Sequence, residues 1–72
     1  MAVKLINRTN HEQFMAFIRT SSQFDAWNAL WDAFYFMRHA RISKARRAAI
    51  KRTVDQAETA YLQTFGQAWL PF

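Results

Sequence analysis

The sequence predicts an all-α fold: a small three-helix domain with a short N-terminal arm and an apolar C-terminal tail. Three observations point there. Apolar residues recur at helical spacing through most of the 72 residues. Small polar residues suited to helix capping, Thr9, Ser22 and Ser43, stand where that pattern breaks. No glycine or proline interrupts the chain between Phe24 and Phe65, so nothing there forces irregular backbone.

Residues 1–8 include AVKLINR and look extended. A lone strand is unstable in water, so this stretch reads as an arm docked on the helices, or less favourably as a strand paired across a dimer. Thr9 with Glu12 forms a capping box. Helix 1 is expected over about 10–20, with His11, Phe14, Met15, Phe17 and Ile18 on one side. Ser21-Ser22 ends it, and Ser22 with Asp25 repeats the capping logic.

Helix 2 is expected over about 23–40. Its segment FDAWNALWDAFYFM is apolar except for Asp25, Asn28 and Asp32, which fall on one narrow side at 100° per residue. A helix so apolar around its girth needs neighbours on several sides. Its face centres near Trp27, Leu30 and Phe34. The next apolar line is Ile50, Val54, Ala57 and Tyr61. On one continuous helix Ile50 would point the same way as Asp32, away from the helix 2 core. A turn at about 41–43, with Ser43 as N-cap, realigns both faces. Helix 3 then runs over about 44–65 and stops at Gly66, the only glycine. In the tail, 66–72, Trp69, Leu70 and Phe72 are expected to fold back onto the core.

A chain of this length is one domain that buries only roughly 60% of its unfolded surface. It has no cysteine, so no disulfide or thiolate metal site supports it. Aromatic residues make up 17% of the chain, hard to hide in one copy of so small a domain. Trp27, Trp31, Tyr35 and Phe36 are therefore candidates for a homodimer interface.

Charge is the strongest functional signal. The net charge is +5, and the stretch from Arg38 to Arg52 carries seven bases and no acid: Arg38, Arg41, Lys44, Arg46, Arg47, Lys51 and Arg52. Lys44, Arg46 and Arg47 oppose the dipole at the start of helix 3, which a purely structural design would avoid. The expected partner is DNA or RNA, whose phosphates such residues neutralise. The alternative is an acidic protein surface, as for an inhibitor clamping a host nucleic-acid-handling machine. Helices 2 and 3 could form a helix-turn-helix with Lys44, Arg46 and Arg47 near base edges, although the turn lacks the usual glycine. Asp55 can pair with Lys51 or Arg52 and consume part of the charge. The aromatic stripe of helix 2 could stack on bases, but helical spacing favours core packing.

Other chemistry finds little support. His11 and His39 have no metal-ligand spacing; His11 reads as the edge of the helix 1 core and His39 as a cap on the end of helix 2. The serines are explained as caps, and no nucleophile–base pair can be built. There is no Gly-rich phosphate loop. The expectation is a non-enzyme with no cofactor, no metal and no small-molecule substrate. No signal peptide and no membrane span are evident, so the expected location is the cytoplasm. Small size, no cysteine and a dense basic helix are common among accessory proteins of phages and mobile elements, but no motif ties the chain to a family.

Overall fold

The computed structural model describes residues 11–70. The expected arm, the Thr9 cap and Phe72 lie outside the described residues. Three helices follow one another: α1, His11–Thr20; α2, Gln23–His39; and α3, Lys44–Phe65. No strand occurs among the described residues. The 22 residues of α3, at 1.5 Å rise each, give about 33 Å. That helix sets the long dimension of the molecule, also 33 Å. It packs along both α1 and α2, which touch each other less.

The helix boundaries follow from local chemistry. Ser22 accepts from the Asp25 backbone N–H at 3.1 Å. Ser43 accepts from that of Arg46 at 3.2 Å. Each hydroxyl satisfies a donor that the first helical turn would otherwise leave open. Ala40 and Ser43 both have extended backbone, so the α2–α3 turn closes without a positive φ. Ile42 packs against the core from inside it. Gly66 ends α3 with φ 74°, and its N–H donates to the Leu62 carbonyl at 2.8 Å. Only glycine adopts that left-handed conformation without steric cost.

The core is Phe14 and Ile18 of α1, Ala26, Ala29, Leu30 and Ala33 of α2, and Ile50, Val54, Ala57, Ala60 and Tyr61 of α3, closed by Trp69. Here the structure corrects the sequence reading of α2. The buried face centres on the alanines and Leu30, rotated by roughly 70–80° from the expected Trp27–Leu30–Phe34 line. Alanines let helices approach closely, and interaxial distance follows contact side-chain size. The large rings are left on the flank, where the tail meets them. Trp69 packs against Trp27 and Phe34, with centroids 6.1 and 5.7 Å apart. Its indole N–H donates to the Trp27 carbonyl at 3.2 Å. In return the Trp27 indole N–H donates to the Leu70 carbonyl at 3.1 Å. Trp69 therefore folds back as expected, whereas the Leu70 side chain stays about half exposed.

Among the described residues one polar side chain, that of Thr53, is fully buried. The Thr53 hydroxyl lies 2.6 Å from His11 Nδ1 and 3.2 Å from the Ala49 carbonyl. It donates to the Ala49 carbonyl and, in the tautomer that carries the proton on Nδ1, accepts from His11. His11 does edge the core at the start of α1, held there by Thr53. No helix among the described residues is long and apolar enough to cross a membrane.

Candidate functional site

The α2–α3 turn folds the basic stretch into a corner, and the corner sorts its members. Arg38, Lys44, Arg47 and Lys51 line one groove of about 470 Å³, with Met37 and Ala48 as the apolar part of its lining. No acidic side chain lines it. Lys44, Ala48 and Lys51 stand at i, i+4 and i+7, one strip of a helix. Met37 and Arg38 come from the last turns of α2. The groove thus exists only because the turn at residues 40–43 brings the two helix ends together. Arg41, Arg46 and Arg52 are exposed and outside its lining.

Within the groove the cations are not equivalent. Arg47 turns inward and donates through Nη1 to the Met37 carbonyl and through Nη2 to the Ala40 carbonyl at 3.2 Å. Those carbonyls close the C-terminal end of α2, where a cation is favoured by the dipole and by the open acceptors. The charge that looks misplaced at the start of α3 is well placed against the end of α2. Arg47, rather than His39, caps α2. His39 instead lays its ring against Tyr35, with centroids 4.3 Å apart.

Lys51 pairs with Asp55 at 3.0 Å, but the two side chains are 64% and 57% exposed. Such a pair is worth about 0.3–0.5 kcal/mol, and its order, base before acid, is the weaker one on a helix. Lys51 is therefore held loosely and can turn to a stronger anion at small cost. Lys44 is exposed, and Arg38 rests its guanidinium 5.5 Å from the centre of the Phe34 ring. One turn beyond Asp55, burial pushes the Glu58 carboxyl upward, and the neighbouring Asp55 charge adds to this while Lys51 opposes it. The acidic strip thus begins where the groove ends. The helix-turn-helix expectation is correspondingly divided: Lys44 lines the groove, Arg46 lies outside it and Arg47 is turned onto α2.

The expected interface aromatics are also divided. Trp27, Trp31 and Tyr35 share a flank of α2, with Trp31 6.1 Å from Trp27 and 5.8 Å from Tyr35. Phe36 lies on the other flank, partly buried against the core. Exposure is 76% at Phe24, 36% at Trp31 and 52% at Tyr35. A second, smaller cavity of about 260 Å³ is lined by Trp31, Phe34, Tyr35, Arg38 and His39. Met37, Ala48, Phe34 and His39 were not singled out as site residues from sequence. The available signal was spacing, since Trp31, Tyr35 and Arg38 also stand at i, i+4 and i+7.

Among the described residues no group of three His, Asp or Glu side chains could hold a metal ion. Comparison with protein families, characterised proteins and solved structures finds no match to this chain.

Proposed function

We propose that this chain is a small non-catalytic regulatory protein that binds nucleic acid through the groove at the α2–α3 corner. The supporting observation is convergence. Arg38, Lys44 and Lys51 meet in one groove without an acid in its lining, and none is committed to the fold as Arg47 is. A sugar–phosphate backbone supplies the regularly spaced anions that such a groove neutralises. Each neutralised phosphate releases counterions, so affinity must fall with salt.

Three cations predict a slope of about −2 to −3 in log K against log salt, from roughly −0.7 to −0.9 per phosphate. Fluorescence anisotropy of labelled oligonucleotides across a salt series measures it. A slope near zero, or no binding at low salt, defeats the proposal.

A second reading keeps the groove but gives it an acidic protein surface, as for an inhibitor of a nucleic-acid-handling machine. It is favoured by Phe24 and Leu70, apolar side chains left exposed with no use in backbone neutralisation. Affinity capture with and without nuclease separates the two: a partner retained after nuclease treatment favours the second.

A further inference from the structure

Resting on the nucleic-acid reading above, we infer that the bound strand is single-stranded, with a base stacked at Trp31 and Tyr35 while adjoining phosphates lie in the basic groove. The juxtaposition that carries this is Arg38. It lines both cavities, the aromatic one with Trp31, Phe34, Tyr35 and His39 and the basic one with Lys44 and Lys51. Aromatic surface and a cationic track in direct continuity form the arrangement that single strands require, since their bases are free to stack on side chains. A duplex keeps its bases stacked inside and offers these rings only edges and backbone.

The rings are already positioned for it. Trp69, Trp27, Trp31, Tyr35 and His39 form a ladder along α2, with successive centroids 6.1, 6.1, 5.8 and 4.3 Å apart. Trp27 lies nearly parallel to Trp31, at 20°, so the tryptophan is braced from behind and does not have to be ordered on binding. The ladder runs from the tail toward the basic corner. Trp31 and Tyr35 remain accessible on the side away from Leu30 and Ala33. The core does not need aromatic rings at these two positions, because the alanine face already packs α2 onto α3.

The test compares four probes of equal length by anisotropy at fixed salt: a ten-nucleotide DNA strand, its RNA counterpart, the DNA duplex, and an abasic strand. Base–aromatic stacking is worth about 5- to 150-fold in affinity per base. The expected result is that both single strands bind at least about tenfold more tightly than the abasic strand and the duplex. Trp31→Ala and Tyr35→Ala should each erase most of that preference while leaving the salt slope unchanged. The abasic probe reads stacking on the native protein, so the test survives if Trp31→Ala fails to fold. Equal affinity for all four probes, with a steep salt slope, overturns the inference and leaves the nucleic-acid reading standing. Absence of binding to every probe overturns both. A free protein that dimerises through Trp31 and Tyr35, with no loss of affinity on the abasic strand, also overturns the inference.

Discussion

Arg47 shows how a single side chain can carry two contradictory readings. Along α3 alone it is a cation at the wrong end of a dipole, and that reading suggests selection for a partner. Across the turn it is a cation at the right end of α2, donating to the Met37 and Ala40 carbonyls. Sequence spacing could not reveal this, because the compensating acceptors lie on a different helix and meet Arg47 only after the turn has formed. A hydrogen bond from a charged donor is worth about 1.5–3 kcal/mol. Arg47→Ala should therefore destabilise the fold by about that amount, seen as a lower midpoint in urea denaturation. Arg47→Lys should recover little, since an ammonium cannot fork between two carbonyls as a guanidinium does. An unchanged midpoint in both variants would show that the side chain is free in solution. His39, read as the cap from its position in the last turn of α2, lost that role to Arg47, eight positions further along the chain.

At the scale of the element, α2 is organised by what each of its sides meets. Its narrow alanine side meets α3, its aromatic flank meets the tail, and Phe24, Trp31 and Tyr35 meet solvent. The caps at Ser22, Ser43 and Gly66 were legible in the sequence because capping is local chemistry, decided within three or four residues. The orientation of α2 was not, because it depends on Trp69, forty-two residues from the Trp27 carbonyl it bonds. Periodicity weights the largest rings most heavily, yet small side chains decided which face lies closest to the neighbouring helix. Trp69 therefore carries more of the fold than a tail residue would suggest. Trp69→Ala should cost about 3–5 kcal/mol, a large part of the 5–15 kcal/mol typical of a whole domain. Trp69→Phe should keep most of the packing and lose chiefly the indole hydrogen bond, about 1 kcal/mol. Thermal unfolding followed by circular dichroism ranks the two. Equal, negligible losses would mean that the tail does not close the core.

For the whole molecule, the three-helix architecture and the existence of a break before α3 could be read from periodicity, since a continuous rod would have left its two apolar faces opposed. Seven basic residues were equally plain. Their division was not: only the folded corner separates Arg38, Lys44 and Lys51 in the groove from Arg41, Arg46 and Arg52 outside it, and from Arg47 turned inward. The proposed binding therefore depends on location rather than on total charge. Two variants with the same change in net charge test that claim most directly, Lys44→Glu in the groove and Arg52→Glu on the outer face of α3. Their affinities for a labelled oligonucleotide would be measured side by side at one salt concentration, with unfolding midpoints as the control. Lys44→Glu should weaken binding about tenfold or more, through a lost phosphate contact and added repulsion, while Arg52→Glu should change it only slightly. Equal losses in the two variants would contradict that claim, because the protein would then be responding to its overall charge and not to a site.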